Sequence, residues 1–216
     1  MVPEVPNGPL ASGAPYWYWL GGRPALDFVN TRRERWRRNV ECLTGDRDAV
    51  DWLVAAQLLP ASASPPPGLA EEARALREAI DAGVRAAHAG EPVDPAALCL
   101  IDDWLVLAGS RPALVLAEDG LPVLSERAPA DSPRRALGMV ALDAARMLGT
   151  AAERARIRIC ASETCSARFY DRSPAGRRRW CSMQACGNVE KARRWRERNV
   201  AEGEFAQQLA WQAKPI

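Results

Sequence analysis

Four of the six cysteines in this 216-residue chain form two pairs with the same internal spacing. Cys160 and Cys165 have four residues between them, Cys181 and Cys186 also have four, and fifteen residues separate the two pairs. Two close pairs of thiolates are a typical ligand set for zinc, which they bind in a closed tetrahedron without an open position for substrate. The spacing therefore predicts a structural zinc site and gives the metal no catalytic role.

The spacing alone leaves other states of these thiols open. They could be free or form a disulfide pair, and gaps of four residues also suit an iron–sulfur cluster or another metal. Zinc is favoured because paired spacing seldom arises by chance and because disulfides are rare in a reducing compartment. Cys42 and Cys99 lie among apolar neighbours, so we expect both to be buried thiols.

The net charge of +2 hides a strong asymmetry along the chain. Residues 154–198 hold 13 Lys and Arg against four Asp and Glu, a balance of +9, so the rest of the chain carries −7. A segment with this charge density is typical of surfaces that contact nucleic-acid phosphates, because Arg binds phosphate oxygens through paired donors. The candidate contacts are Arg177, Arg178, Arg179, Lys191, Arg193, Arg194 and Arg198.

The same charge has an alternative explanation, a solvated face or a docking surface for an acidic partner. Glu190 and Arg194 stand four residues apart on a predicted helix, as do Arg193 and Glu197, and such ion pairs would cancel part of the charge. The chain also contains 27 Arg against two Lys, so part of the Arg excess is compositional. The four-cysteine segment would then be a structural or protein-docking module.

The hydrophobic pattern predicts an α+β protein. The predicted helices cover 47–58, 69–89, 95–108, 133–153 and 187–199. The predicted strands are 25–30, a hairpin of 113–117 with 121–124, and a second hairpin of 154–160 with 168–170. We therefore expect a mainly helical N-terminal domain with a small antiparallel sheet, followed by a finger whose order of hairpin, turn and helix suggests a treble clef.

Composition divides the chain into four parts. Residues 1–20 are rich in proline and predict a mobile tail, whose aromatic end at 16–19 is expected to dock on the body of the protein. Residues 21–153 form the α+β domain, 154–200 the finger, and 201–216 a second tail or a short helix. Nothing in the sequence specifies the oligomeric state.

No catalytic constellation and no glycine-rich phosphate loop is recognisable, so the chain is predicted not to be an enzyme. Asp27 and Asn30 are candidates for a ligand pocket, although capping hydrogen bonds are the alternative use of both. Arg32–Arg38, around Trp36, forms a candidate second surface for anions or a solvated loop. The absence of a long apolar run and of a signal peptide predicts a cytoplasmic protein without a membrane partner.

Three stretches resemble a known protein family. In the finger, the resemblance lies in Arg179-Trp180-Cys181-Ser182-Met183 and Cys186-Gly187-Asn188, followed by Lys191 and Arg193, and in Phe169, Asp171 and Ser173 upstream. These residues resemble the CGNR zinc finger, named after a Cys-Gly-Asn-Arg motif. The run from Leu20 to Thr31 is similar to the start of the ABATE domain, which usually precedes that finger.

The resemblance implies a bacterial stress-induced transcription regulator. Its four cysteines would hold zinc in a treble-clef finger that binds DNA, and its N-terminal domain would act as a sensor for a small-molecule or protein effector. The fourth motif position is Val189 instead of Arg. This difference removes any DNA contact that the motif arginine makes, and it leaves all four zinc ligands in place.

Overall fold

The computed structural model describes residues 17–109, 113–125, 130–196 and 199. Helices dominate these residues, and the strands form three separate two-stranded antiparallel sheets, so the predicted α+β class is confirmed. The helices are α1 (Pro24–Val29), α2 (Asp46–Ala55), α3 (Leu69–Ala89), α4 (Pro95–Leu105), α5 (Pro133–Gly149), α6 (Ala151–Arg154) and α7 over 188–196. The strands form three pairs, which are β1 (Arg32–Arg33) with β2 (Val40–Glu41), β3 (Ala113–Leu116) with β4 (Pro122–Ser125), and β5 (Ile157–Ile159) with β6 (Arg168–Tyr170).

The main core lies between α3 and α5, with α1, α2 and α4 packed around them. Apolar residues recur along α3 every three or four positions, so Leu76, Ile80 and Val84 share one buried face. Trp52 of α2 is fully buried and stacks against Trp19 at 5.8 Å between ring centroids. Residues 1–16 lie outside the described residues, whereas the end of the predicted tail docks on this core as expected.

The prediction of a strand over 25–30 is wrong, because these residues form the helix α1. Pro24 occupies the first turn of α1, where its missing N–H and fixed φ favour a helix. The side chains of Leu26, Phe28 and Val29 are all buried, so the run has no alternation of buried and exposed positions. Short apolar runs of this kind fit a buried helix as well as a strand.

Other helix boundaries differ from prediction for local reasons. The predicted helix 133–153 is interrupted at Thr150, whose backbone is extended and whose hydroxyl accepts a hydrogen bond from Glu153 N at the start of α6. Helix α2 begins at Asp46, one residue before the predicted start, because Gly45 is the N-cap and its N–H donates a hydrogen bond to the Asp48 carboxylate at 2.8 Å. Helix α3 and both predicted hairpins are confirmed.

Strand β6 of the finger is attached to the N-terminal domain through three sets of contacts. Asn30, directly after α1, accepts a hydrogen bond from Arg168 N at 2.8 Å and donates one to Arg168 O at 2.9 Å. The guanidinium of Arg168 donates to Asp81 on α3 at 2.7 Å, and both side chains are almost completely buried. Gly21 O accepts from Tyr170 N at 2.8 Å. The finger is therefore part of the fold of the whole chain.

Gly21 is required by the close approach of this segment to α1. A Cβ atom at this position would lie 2.6 Å from Asp27 N and 2.7 Å from the Leu26 Cβ, which is closer than any real Cβ contact. The backbone N–H of Gly21 also donates to Asp27 Oδ1 at 2.7 Å. The glycine at this position in the N-terminal motif thus allows the chain to pass between α1 and β6.

Within the described residues, no helix combines the length and the hydrophobicity that crossing a membrane requires.

The buried pair of Arg168 and Asp81 gives a first prediction. Asp81→Asn leaves the Arg168 guanidinium buried without a full counter-charge, so we expect a loss of about 3 kcal/mol in the free energy of unfolding, measured by urea denaturation. Arg168→Met in the Asp81→Asn background should recover part of that loss, because it removes the uncompensated charge. Asp102→Asn, at an exposed position of α4, is the matched control. Equal effects of Asp81→Asn and Asp102→Asn would contradict the prediction.

Candidate metal centre and basic surface

The first cysteine pair lies on the loop that joins β5 to β6. Cys160 directly follows β5, and its N–H donates to Ala167 O at 2.9 Å, which extends the hairpin pairing to the loop. Cys165 N donates to Ser162 O at 3.1 Å and closes a tight turn. The backbone N–H of Ala167 points at Cys165 Sγ at 3.4 Å. The turn therefore places both thiols on one short loop and supplies a donor to one sulfur.

The second cysteine pair stands where the chain enters α7. A π-helical turn at Met183–Gly187 precedes this helix, and Ser182 O accepts from both Cys186 N and Gly187 N at 3.0 Å. The predicted helix from 187 onward therefore begins with this wider turn. Cys186 lies within the turn, close to the N-terminal end of the helix, where the dipole favours a thiolate.

Asp171 organises the loop between the two pairs. This fully buried carboxylate accepts from Ser173 N at 3.0 Å and from Arg178 N at 2.8 Å. Burial acts to raise the pKa of Asp171, but these donors outweigh it and hold the pKa below its usual value. The shape of the loop thus depends on a buried charged group, which the sequence indicates only through its place in a motif.

The four sulfur atoms have the arrangement that a tetrahedral metal site needs. The ligand atoms of Cys160, Cys165, Cys181 and Cys186 all lie within 4.8 Å of one another. Cys165 Sγ is 3.9 Å from Cys181 Sγ, which is 3.6 Å from Cys186 Sγ. A tetrahedron with metal–sulfur bonds of about 2.3 Å has edges of about 3.8 Å, whereas a disulfide needs about 2.05 Å. The donor set therefore fits a metal ion, and all four thiols are free of disulfides.

The crowding of the thiols supports the same conclusion. Hydrogen bonds from Cys165, Cys181 and Cys186 lower the pKa of Cys160, while the pKa of Cys181 is raised by its contacts with Cys160 and the other two sulfurs. Four thiolates in this volume repel one another, so they do not ionise together without a cation. A bound divalent ion removes that repulsion and stabilises all four thiolates.

The finger has almost no core apart from this cluster. Its buried apolar group consists of three of the cysteines with Ala167 and Phe169, and Leu20, Cys165 and Trp180 pack at its edge. A hydrophobic core this small supplies too little stability for an independent fold. The cysteines therefore act as the core of this module, and a bound metal would join them.

The candidate phosphate contacts divide into open and occupied side chains. Arg177, Arg179, Lys191 and Arg194 are exposed. Among the described residues, the side chains of Arg177, Lys191 and Arg194 have no hydrogen-bond or ion-pair partner, and Arg179 lies over the ring of Trp180. These four cations are available to a phosphate ligand.

Two of the other candidates are engaged with the protein. Arg178 donates to Cys181 O at 2.6 Å and lies over the ring of Phe169, so part of its guanidinium is hydrogen-bonded to the backbone of a candidate metal ligand. Arg193 forms ion pairs with Glu190 at 3.0 Å and with Glu163 at 3.2 Å. Arg198 lies outside the described residues. The nucleic-acid role of all seven candidates stays a prediction.

Of the two ion pairs expected along α7, the pair of Glu190 with Arg194 does not form, and Glu197, the expected partner of Arg193, lies outside the described residues. Glu190 pairs with Arg193 and accepts from the Ser162 hydroxyl at 2.9 Å, so it is turned away from Arg194, its predicted partner. Burial acts to raise the pKa of Glu190, yet the bonds from Ser162 and Arg193 hold it below its usual value. The exposed Arg194 guanidinium is consequently not paired with a carboxylate of the described residues.

Asp27 and Asn30 both make hydrogen bonds to the backbone. Asn30 binds Arg168, as described above, and one side of it also borders a cavity that is described below. Asp27 accepts from the N–H of Gly21, and its carboxyl is largely buried. Burial, with a smaller contribution from the charge of Asp143, raises the pKa of Asp27 to about 7, although hydrogen bonds from the Gly21 and Leu20 amides act to lower it. A ligand role for the two residues stays a prediction.

The sequence analysis missed the acidic residues of α3 that bind arginines. Glu78 and Asp81 contact Arg35 at 2.6 Å and 3.4 Å, and Asp81 also holds Arg168. Arg77, almost completely buried, binds both carboxylate oxygens of Glu41 at 2.6 Å. The available signal was the position of Arg77 and Asp81 on the apolar stripe of α3, where charged residues need partners.

The two remaining cysteines differ in burial. Cys42 is buried as predicted, and burial raises its pKa to about 11. The prediction for Cys99 is wrong, because this thiol is exposed. Cys99 lies beside the exposed Leu98 on the outer side of α4, whereas Ala97 and Ile101 on the other side are buried in the core.

A helical domain joined to a four-cysteine metal-binding module defines a two-part metalloprotein, and two family models match it in that order. The ABATE model, described as a putative stress-induced transcription regulator, matches residues 22–151, and the CGNR zinc finger matches residues 156–199. The chain therefore belongs to the ABATE family and carries a CGNR zinc finger after that domain. No curated protein matches the chain.

The cluster geometry gives a prediction about metal content. The full chain should bind one divalent ion per molecule, measured by elemental analysis, and Cys181→Ser should reduce this content because it replaces a thiolate ligand with a weak one. Removal of the ion by a chelator should lower the melting temperature by at least several degrees. Cys99→Ser is the matched control, and it should change neither quantity. Full metal content in Cys181→Ser would contradict the assignment.

The raised pKa of Asp27 gives a prediction about pH. Its folded-state pKa of about 7 exceeds the usual value of 3.8, so the folded chain binds this proton more tightly than the unfolded chain. The stabilisation from Asp27 is therefore present at low pH and is lost as the pH rises towards 7. Asp27→Asn should remove this loss, so its free energy of unfolding should rise relative to wild type by a few kcal/mol between about pH 5 and pH 8.

Urea denaturation at several pH values measures this difference, with Asp102→Asn as the control. The comparison with wild type cancels any pH dependence of the metal site, which both chains share. A constant difference between Asp27→Asn and wild type across this range would show that the Asp27 pKa is not raised.

Proposed function

We propose that this protein is a DNA-binding transcription regulator whose metal is a structural zinc ion. Cys160, Cys165, Cys181 and Cys186 would hold the zinc, which supplies folding free energy to the finger and takes no part in a reaction. The N-terminal domain would act as the sensor or partner-binding unit. The proposal assigns no enzymatic activity to the chain.

The exposed cations of the finger are the observation that carries this proposal. Arg177 and Arg179 lie on the loop that leads into the third metal ligand, so the metal site would fix their backbone. Lys191 and Arg194 are three residues apart on α7 and therefore lie on one side of that helix. Open cations on a rigid loop and a neighbouring helix suit contacts with consecutive phosphates.

Zinc is supported by the chemistry of the donor set. Four thiolates in a closed arrangement favour zinc among the divalent metals that are abundant in cells. Two ligands on a hairpin loop and two at the entrance to a helix also support a treble-clef-like arrangement. The two family models in their N-to-C order support the regulator class.

A second function is favoured by the contacts between the finger and the N-terminal domain. Arg168 binds Asp81, so part of the finger's positive charge is neutralised inside the chain, and Trp36 Nε1 adds an uncharged contact by donating to Glu163 O at 3.1 Å. A finger that serves as a structural or protein-docking module would need no DNA. The four open cations, in contrast, form no ion pair with the described residues of the N-terminal domain, and for this reason DNA binding is the first proposal.

Salt-dependent DNA binding tests the proposal. The full zinc-loaded chain should bind a fluorescent mixed-sequence duplex, measured by anisotropy over a range of salt concentrations. Arg177→Ala with Arg194→Ala should weaken binding and reduce the slope of log affinity against log salt by about 2, because each lost phosphate contact accounts for roughly one unit. The loss should be similar for unrelated duplex sequences, since phosphate contacts carry no base information.

The matched control removes two exposed arginines from the N-terminal domain. Arg47→Ala with Arg146→Ala changes the net charge by the same amount, and it should leave the affinity and the salt slope nearly unchanged. If both double variants bind as wild type does, or if no duplex binds at low salt, the docking-module function replaces the proposed one.

A further inference from the structure

A cavity of about 440 Å³ lies between the N-terminal domain and the metal-binding loops. One wall comes from the loop that begins at Arg32 and ends at Arg38, and the other from the loop that carries Cys165, together with Cys186 and Val189. Its size falls in the range of small-molecule sites, which runs from about 300 to 1,000 Å³. Because its walls belong to both parts of the chain, a molecule bound here would contact both.

The wall from the N-terminal domain is strongly cationic. The described lining contains one carboxylate and four arginines, which are Arg32, Arg33, Arg37 and Arg38. The carboxylate belongs to Glu34, which is bound at both oxygens by Arg38. Arg38, followed by Arg33 and Arg37, lowers the pKa of Glu34, as expected in a positive field. Even beside a zinc tetrathiolate with two net negative charges, this wall stays positive.

The arginine-bearing loop is held in a fixed shape. Glu34 O accepts from Arg37 N at 2.8 Å and from Asn39 N at 2.9 Å. Glu34 and Asn39 both have positive φ, at 47° and 53°, a conformation that persists only where neighbouring contacts enforce it. Trp36 Nε1 donates to Glu163 O at 3.1 Å and ties the loop to the finger. The loop is therefore organised before a ligand arrives, which reduces the entropy that binding costs.

Two of the arginines differ in how they present their charge. Arg33 is 5 % exposed, and its guanidinium carbon lies 3.7 Å from the centroid of the Tyr18 ring, so its position is fixed. Arg37 is exposed, and its side chain has no hydrogen-bond or ion-pair partner among the described residues. A fixed guanidinium and an available one in the same wall can bind an anionic group from two directions.

The opposite wall supplies hydroxyl groups and apolar surface. Ser162, Thr164 and Ser166 border the cavity, and because the Ser162 hydroxyl donates to Glu190, Thr164 and Ser166 carry the hydroxyls that can donate to a phosphate or carboxylate oxygen. Leu20 and Val189 add apolar side chains. Val189 occupies the fourth position of the Cys-Gly-Asn-Arg motif, and this residue lines the cavity. The smaller, uncharged valine leaves space beside the cationic wall.

We propose that this cavity binds a small organic anion, a phosphate or carboxylate group carried on an apolar body. The arginines and hydroxyls would hold the anionic group, and Leu20 and Val189 would pack against the body. This inference deepens the proposed function, because it rests on the sensor role and names the chemical class that is sensed. A concave site with an apolar wall fits a small molecule better than the phosphates of a duplex, which require an open surface.

Calorimetric titration of the full zinc-loaded chain, without DNA, tests this proposal. The probes are phenyl phosphate and benzoate, which distinguish the two anionic groups, and phenol, which has the same ring without the charge. At least one anion should bind measurably, inorganic phosphate should bind more weakly because it lacks the ring, and phenol should not bind. Equal binding of phenol and the anions would overturn the proposal.

Two variants place the anion in this cavity. Arg37→Ala should weaken binding of the preferred anion roughly ten-fold or more, the usual effect of losing a hydrogen bond between charged groups. Val189→Asp adds a negative charge to the apolar wall at a position that is 41 % exposed, and it should abolish binding while the melting temperature is retained. Arg146→Ala, which removes an exposed arginine of α5, should bind the anion as wild type does.

The outcomes separate this inference from DNA binding. If Arg37→Ala and Val189→Asp bind the anion as wild type does, or if no anion binds, the inference is wrong even where Arg177→Ala with Arg194→Ala weakens duplex binding. If no anion binds and Arg37→Ala weakens duplex binding, the cavity wall is part of the nucleic-acid interface instead. Anion binding that both variants lose supports the inference whether or not a duplex binds.

Discussion

A buried ion pair between Arg168 of β6 and Asp81 of α3 anchors the finger to the N-terminal domain, together with the backbone contacts of Asn30 and Gly21. Charges removed from water to this extent are costly unless each has a partner and further hydrogen bonds. Asp81 also contacts Arg35, and Asn30 saturates the backbone of Arg168, so the pair belongs to a network that includes α1, α3 and the arginine-bearing loop. The same network sets where that loop stands relative to the metal-binding turn.

The second constraint is the size of the finger's own core. A hydrophobic cluster of five buried residues, three of them cysteines, is too small to fold a module of this length, so the candidate metal ligands also act as its core. A closed tetrathiolate leaves no position for substrate, which is consistent with a metal that organises surface cations. A metal bound by these cysteines would therefore link the folding of the finger to the shape of the 171–178 loop and to the presentation of Arg177 and Arg179.

Arginine serves three different purposes in this chain. Arg168 and Arg77 are internal and neutralised by carboxylates, so they stabilise the fold. Arg177 and Arg194 are open and suit phosphates on a partner surface. Arg33 and Arg37 line a cavity between the two parts of the chain and suit a small anion. The net charge of a segment therefore overstates the number of cations that a partner can reach.

The four clustered cysteines, the helical period of α3 and the charge asymmetry can be read directly from the sequence, because the first two depend on residue spacing and the third on composition. Tight turns bring Cys160 to Cys165 and Cys181 to Cys186, so short-range geometry suffices there. Only the tertiary structure decided which arginines are open, because the partners of Arg168 lie 87 and 138 residues away. It also decided that 25–30 is a helix, since a short apolar run fits either period until its neighbours bury it on all sides. The cavity, built from residues more than 100 positions apart, has no local signature for the same reason.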